Sequence, residues 1–270
     1  MDSKLAAQIH RATAGKASSP HNYLRESMGR QLQPWAASGA IGFGENWWTV
    51  ASGSLFPESN MSLIYGAEEA CLDSALEVVA RLGVPSVVVL SDAGLAQVGR
   101  VLDRGFAFIT ANPLMAISLE SNQAQYVLAD GLEVLRIDLA SDIDVIRRLL
   151  HESFEMPMEM CNALISPELV KVIGVYFWLL LDQGQPVATV TTTFEESILG
   201  IKAMATPPNA QRKGYGHALL SYVLQEHAKA GQLVGILAAT PAGLPLYQRL
   251  GFEVIGYGQI FAGRVSPKPH

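Results

Sequence analysis

The stretch Gln211-Arg-Lys-Gly-Tyr-Gly-His-Ala218 decides how this chain is interpreted. It follows an apolar run typical of a β-strand, residues 198–206, and it opens a pattern typical of an α-helix. A loop with free backbone N–H donors, followed by a helix N-terminus that carries about half a positive charge, can bind phosphate. Gly214 and Gly216 let the backbone approach a ligand without an intervening Cβ atom. Taken alone, the loop is equally compatible with a tight strand-to-helix turn.

The elements that follow the loop make the pattern more specific. The helix is predicted to run from about residue 215 to 230 and to end at Gly231, which can adopt a left-handed conformation. A strand at 233–239 comes next, followed by a short helix around Tyr247. Gly251-Phe252 then opens a last strand that ends near residue 261.

Two motifs in this order resemble the GNAT superfamily of N-acyltransferases. The segment Ala205-Thr-Pro-Pro-Asn-Ala-Gln-Arg-Lys-Gly-Tyr-Gly216 is similar to the acyl-CoA pyrophosphate motif of that family, and Leu246-Tyr-Gln-Arg-Leu-Gly-Phe252 is similar to its C-terminal signature. The strong resemblance covers residues 198–261, and a weaker one extends back to residue 132.

The resemblance implies a binding site for acetyl-CoA. The loop would hold the pyrophosphate, and the backbone that ends the preceding strand would pair with the pantetheine arm as an added strand does. Thr240 matches a small polar position that contacts CoA in the family. The implied cofactor-binding residues are Met204, Ala205, Thr206, Gln211, Arg212, Lys213, Gly214, Tyr215, Gly216, His217, Ala218 and Thr240.

Acyl transfer to an amine also needs a proton for the leaving thiolate and a neutral amine. Because a free thiol has a pKa near about 8.5, a nearby phenol can supply its proton. Tyr247 stands where the family carries this acid, although a tyrosine on a short helix is also an ordinary core residue. Glu195 and Glu196 are candidates for the base, and the alternative is that both are solvated carboxylates in a turn.

Other chemistries are not indicated by the sequence. No histidine, cysteine or carboxylate cluster has a metal-ligand spacing, so we expect no metal. No nucleophile elbow or Ser/His/Asp arrangement occurs, so direct attack by the amine is the simpler mechanism.

Composition is consistent with a cytoplasmic enzyme. The net charge of −6 argues against nucleic acid or an anionic membrane as the main partner. No apolar run approaches the roughly 20 residues that cross a bilayer, and no signal peptide is evident. Hydrophobic residues make up 49% of the 270 residues and charged residues only 16%, which favours large buried surfaces and is compatible with a homo-oligomer.

The two halves of the chain repeat one order of elements. Gly83 and Gly105 bracket a strand and a helix, as Gly231 and Gly251 do. We therefore predict an α/β (α+β) fold with two tandem acyl-CoA N-acyltransferase-like domains, each a mixed β-sheet flanked by helices. The alternative is two unrelated α/β segments with common turn chemistry. The predicted division is an N-terminal arm or helix at 1–35, loosely packed over its first 20 residues, a first domain at 36–125 and a catalytic domain at 126–270.

The first domain is predicted to be degenerate, because it lacks the phosphate loop and has Val101 where the second has Tyr247. The predicted activity is N-acetylation of a primary amine, in a small molecule or a peptide, by acetyl-CoA. The alternative is a non-catalytic acyl-CoA-binding or regulatory protein. Nothing in the sequence identifies the acceptor.

Overall fold

The computed structural model describes residues 2–16, 18–120, 126–139 and 142–264. Its helices are α1 (Ser3–Ala12), α2 (Pro20–Arg30), α3 (Glu69–Ala80), α4 (Val98–Asp103), α5 (Ile143–Phe154), α6 (Met158–Leu164), α7 (Tyr215–Lys229) and α8 (Leu244–Arg249). Its strands are β1 (Ile41–Gly44), β2 (Trp47–Ala51), β3 (Asn60–Ile64), β4 (Pro85–Ser91), β5 (Ala107–Ser118), β6 (Leu132–Ile137), β7 (Val175–Asp182), β8 (Gln185–Glu195), β9 (Ile198–Ala205), β10 (Val234–Ala238) and β11 (Glu253–Arg264).

The chain divides into two compact units. One, called here the C-terminal unit, comprises Met1–Gly15, Ala116–Leu237 and Ala242–Glu253. The other, the N-terminal unit, comprises Lys16–Met115, Ala238–Pro241 and Val254–His270.

The C-terminal unit contains a mixed sheet in the order β10-β9-β8-β7-β6. Strands β6 to β9 form antiparallel neighbours, and β9 runs parallel to β10. The parallel connection passes through α7, as a strand–helix–strand crossover requires. This order brings the end of β9 and the start of α7 to one edge of the sheet, where the predicted site begins.

The N-terminal unit has its own mixed sheet and core. Strands β1, β2 and β3 are antiparallel neighbours, and β3 runs parallel to β4, with α3 between them. The core on the α3 side includes the fully buried side chains of Leu72, Leu90 and Phe261. Trp48 is 1% exposed, and its indole Nε1 donates a hydrogen bond to the backbone oxygen of Arg25 at 2.7 Å.

The last strand of each half is not next to the strand that precedes it in the sequence. In the N-terminal unit, β11 pairs antiparallel with β4 through residues 258–264, and β5 follows on its other side. In the C-terminal unit, the end of β5 lies beside β10, and Leu119 donates its backbone N–H to Leu233 at 2.9 Å. Each unit therefore uses a strand from the other half of the sequence.

The predicted fold class is confirmed as mixed α/β, with mixed sheets flanked by helices. The four glycines that suggested a repeat, Gly83, Gly105, Gly231 and Gly251, all have positive φ angles of 63°, 82°, 96° and 92°. Each follows a helix, and residues other than glycine rarely adopt such angles. The tandem relationship between the halves stays a prediction.

One local expectation differs from the structure, and one lies partly outside the described residues. The expected loose packing near the N-terminus is wrong for residues 3–12, because α1 buries Leu5 and Ile9, each 2% exposed. The predicted boundary at 125/126 includes residue 125, which lies outside the described residues, and the division at 36–125 and 126–270 stays a prediction. No helix in the described ranges is long and apolar enough to cross a membrane.

Candidate active site

The N-terminus of α7 is open toward a ligand. Gly214 is its N-cap residue with φ +85°, and no side chain caps this end. Because the helix begins at Tyr215, the backbone N–H groups of residues 215–217 have no acceptor one turn earlier. The N–H of Ala218 is used by the helix, since it donates to the backbone oxygen of Gly214 at 2.9 Å. Three donors and the helix dipole therefore form a site for an anion.

The loop before α7 is held in shape by its own side chains. The Nε2 atom of Gln211 donates to the backbone oxygen of Thr206 at 3.0 Å, which closes the loop. Arg212 has φ +62°, and both Arg212 and Lys213 are exposed at the mouth of the loop. Gln211 therefore stabilises the loop conformation. Arg212 and Lys213 lie on the surface, where their positive charges can attract a phosphate.

Strand β9 has an open backbone edge directly before this loop. Its parallel pairing with β10 runs only from Ile198 to Gly200, although β9 continues to Ala205. On its other side a β-bulge interrupts the pairing with β8, because Thr191 is opposite Lys202 while Thr189 is opposite Ala205. Ala203 has φ +49° at the bulge. The stretch 201–205 can therefore offer backbone donors and acceptors to an extended ligand.

Gly216 is the point at which three predicted segments meet. A Cβ atom added there would lie 3.2 Å from Cε of Met204, 3.3 Å from Cδ2 of Leu246 and 3.6 Å from Oγ1 of Thr206. The structure thereby brings the end of β9, the start of α7 and the helix α8 together.

Tyr247 lies on α8, beside Leu246. Its side chain is 8% exposed, and its ring meets that of Phe252 edge to face with centroids 5.7 Å apart. Among the described residues no group forms a hydrogen bond with its hydroxyl. Burial raises the pKa of Tyr247 to about 12, so the phenol keeps its proton at neutral pH. A protonated phenol without a hydrogen-bond partner in the described part of the chain is available as a proton donor.

The two predicted base candidates differ in their surroundings. Glu196 is exposed and has φ +50° in the turn between β8 and β9. Glu195 is partly buried at the end of β8, where it pairs with Ile198. Both lie at the end of β9 that is remote from Met204 and the loop. Their role as a base stays a prediction.

Sequence reasoning missed Lys202, a partly buried residue in the open stretch of β9. Its Nζ donates to Oγ1 of Thr193 at 2.8 Å, and no acidic side chain in the described ranges pairs with it. Burial lowers the pKa of Lys202 to about 7. The position could have been noticed as a lone lysine in an apolar strand that leads into the glycine loop.

The remaining predicted binding residues lie around the loop. The hydroxyl of Tyr215 donates to Oδ2 of Asp182, and this hydrogen bond raises the pKa of Tyr215. The ring of His217 is 6.3 Å from that of Tyr126. Thr240 is exposed and belongs to the segment Ala238–Pro241 of the N-terminal unit, so its contact with a cofactor stays a prediction. Within the described part of the chain, no three His, Cys, Asp or Glu side chains are arranged to hold a metal ion.

Comparison with protein families finds one match that covers the site. Residues 174–254 match the family described as "Acetyltransferase (GNAT) domain". The match begins just before β7 and ends in β11, so it includes β9, the glycine loop, α7 and Tyr247. No curated protein sequence matches the chain.

Solved structures with the same fold extend over nearly the whole chain. A GCN5-related N-acetyltransferase from Kribbella flavida has 15% identity and a TM-score of 0.66, with 92% of this chain and 96% of that chain covered. A GCN5-related N-acetyltransferase from Sphaerobacter thermophilus has 14% identity and a TM-score of 0.59, with 97% and 91% covered. A Drosophila protein has 15% identity and a TM-score of 0.57, with 100% and 98% covered.

Residues 174–254 therefore match a GNAT acetyltransferase domain, and the chain shares its fold with solved GCN5-related N-acetyltransferases. Its fold is that of N-acetyltransferase-type enzymes, which use an acyl-CoA as the acyl donor.

Proposed function

We propose that this protein is an N-acetyltransferase that transfers the acetyl group of acetyl-CoA directly to a primary amine of a small molecule or a peptide. The observation that carries the proposal is the open edge of β9 at residues 201–205, directly followed by the uncapped N-terminus of α7. An amide-containing arm attached to a pyrophosphate needs these two features next to each other: free strand backbone for the arm and free N–H donors for the phosphates.

The residues of this site take distinct parts in the proposed binding. The backbone N–H groups of residues 215–217 and the charges of Arg212 and Lys213 would hold the pyrophosphate. The backbone from Met204 to Thr206 would pair with the pantetheine arm. Because the arm leads away from the loop, the thioester would lie near the middle of β9.

Tyr247 would supply the proton that the leaving thiolate needs. Three facts support this role: the phenol is protonated at neutral pH, its hydroxyl has no partner among the described residues, and α8 contacts the loop through Leu246. A phenol with a high pKa is a weaker acid than the thiol that it protonates, so the phenolate that remains must regain a proton. We expect this proton to come from the attacking amine. The proposal includes a cytoplasmic location, which is supported by the two free, buried cysteines Cys71 and Cys161.

Two measurements on the full-length protein test the proposal. Calorimetry should show binding of acetyl-CoA. A thiol-reactive dye should then report release of CoA when a panel of amino acids, polyamines, amino sugars and short amine-containing peptides is added. A non-catalytic acyl-CoA-binding protein would bind acetyl-CoA and release CoA with no member of the panel. Absence of acetyl-CoA binding would reject both functions.

A further inference from the structure

The open stretch of β9 carries one charged side chain, Lys202. The strand pairing places it beside two threonines of β8. Lys202 lies directly opposite Thr191 in the β8–β9 pairing, and its Nζ bonds to Thr193, two residues farther along β8. Alternate residues of a strand share a face, so all three side chains lie on the same face of the sheet. Thr191 is 2% exposed, and its hydroxyl has no partner among the described residues.

This face is separate from the one that α7 covers. Thr192 points to the opposite face, where its Oγ1 lies 3.0 Å from Nε2 of His227. Lys202 is therefore not part of the His227 network. Within the described ranges, its amine has one neutral partner, Thr193, and lies next to Thr191, whose hydroxyl forms no hydrogen bond there.

Lys202 also lies at the reactive end of the proposed cosubstrate site. It is two residues before Met204, a distance of about 7 Å along a strand. The arm that starts at the glycine loop and follows Thr206 to Met204 reaches its thioester end here. This step rests on the proposed function.

We propose that Lys202 is the proton acceptor for the acceptor amine in the transfer reaction. Nζ of Lys202 takes one proton from the ammonium form of the acceptor, and the neutral nitrogen attacks the thioester carbonyl. The C–N bond forms and the C–S bond breaks. The second proton of the attacking nitrogen replaces the one that Tyr247 gives to the thiolate, and protonated Lys202 releases its proton to solvent. Net, the reaction yields the amide, the free thiol and one proton.

The electrostatic surroundings are consistent with this role. Burial lowers the pKa of Lys202 to about 7, so a substantial fraction of the amine is neutral at physiological pH. No charged side chain contributes to this shift. The titratable or charged residues on β8 and on the elements packed against β8 and β9 are Glu195 on β8, Tyr176 and Asp182 on β7, Asp144, Arg147, Arg148, His151 and Glu152 on α5, and Tyr215, His217, Tyr222, Glu226, His227 and Lys229 on α7.

The competing role for a lone cation is to bind an anionic part of the acceptor, and two substitutions separate the roles. Lys202→Arg keeps a positive charge but cannot act as a base at neutral pH, while Lys202→Met removes both properties. If Lys202 accepts the proton, both variants should lose about 10²–10⁴-fold in turnover. The acceptor is the panel amine that releases CoA fastest. Lys171→Met, at an exposed lysine, is the matched control and should keep the wild-type rate.

A titration that does not depend on activity completes the test. In protein labelled with [ε-13C]lysine, the Lys202 resonance is identified by its loss in Lys202→Met, and it should titrate near neutral pH. A Lys202 that stays protonated to pH 10, or a Lys202→Arg variant with wild-type turnover, would overturn the proposal. Acetyl-CoA affinity should be unchanged in both variants. If the wild type binds no acetyl-CoA, the proposed function fails, and the titration still reports on Lys202 itself.

Discussion

Gly216 at the start of α7 and Met204 near the end of β9 are so close that a Cβ atom on Gly216 would lie 3.2 Å from Cε of Met204. This distance is shorter than most Cβ contacts, but the methionine end is flexible and can move by a few tenths of an ångström. The N-terminus of α7 and the open edge of β9 are therefore adjacent. A change at Gly216 reaches both halves of the proposed cosubstrate site.

Gly216→Ala should fold and bind acetyl-CoA more weakly, because the added methyl group occupies space beside the N–H donors. Calorimetry with acetyl-CoA measures the loss, and thermal unfolding checks the fold. Gly214 is a poorer position for this test: a Cβ there has open space, but φ +85° strains any L-residue. Gly99→Ala is a suitable control, since nothing lies within 4 Å of its Cβ position and its backbone has no positive φ. Unchanged affinity in a folded Gly216→Ala variant would reject the assignment of the loop.

A second prediction is that one acetyl-CoA binds per chain. In the N-terminal unit the parallel pairing of β3 with β4 continues to Ile64, the last residue of β3, so no open edge precedes α3. Gly94 packs closely there, since its Cβ would lie 2.2 Å from the backbone oxygen of Ile64. Calorimetry gives the stoichiometry directly. A value of two would show that the N-terminal unit is not degenerate.

The sequence predicted the glycine loop, α7 and Tyr247 because each is encoded by neighbouring residues. Gly231 and Gly251 end helices through their own backbone conformations, so the element order could be read from the positions of these glycines along the sequence. Residues 152–167 carry no such glycine signal, although helices form there. There α5 extends to Phe154 and α6 forms at Met158–Leu164, after Glu155 with φ +52° and Pro157.

Features that depend on non-local pairing could not be predicted. Nothing within β11 indicates that it pairs with β4, and nothing within β9 indicates that its pairing with β10 stops at Gly200. The sequence alone shows Lys202 only as a lone lysine in an apolar strand. Its importance comes from Thr191 and Thr193 on a neighbouring strand and from the bulge beside it, and none of these is visible in the residues that flank it.

His227 should make the protein acid-sensitive. Its Nδ1 lies 3.3 Å from Oε1 of Gln232, which can only accept, so Nδ1 carries the proton and neutral Nε2 accepts from Oγ1 of Thr192 at 3.0 Å. Burial lowers the pKa of His227 to about 4. The unfolded chain, with a histidine pKa near about 6.5, binds more protons between pH 6.5 and 4, so stability falls as the pH falls through this window, by at most about 3 kcal/mol.

Urea unfolding at pH 7 and pH 4.5 measures this loss. His227→Gln should be less stable than the wild type at pH 7 but should lose less stability between the two pH values. His10→Gln, at an exposed histidine, should follow the wild type. An equal pH dependence in His227→Gln and the wild type would mean that carboxylates alone cause the acid sensitivity.

Tyr247→Phe should separate catalysis from packing. The substitution deletes one oxygen and keeps the ring against Phe252, and no hydrogen bond from the described residues is lost. The thermal midpoint and the acetyl-CoA affinity should therefore stay close to the wild type. Turnover should fall by about 10²–10⁴-fold, because the thiolate loses its proton donor. Tyr257→Phe, at a tyrosine that is 58% exposed, is the control and should keep full turnover. A Tyr247→Phe variant that loses stability but keeps its rate would show that Tyr247 is a core residue and that solvent or another group protonates the thiolate.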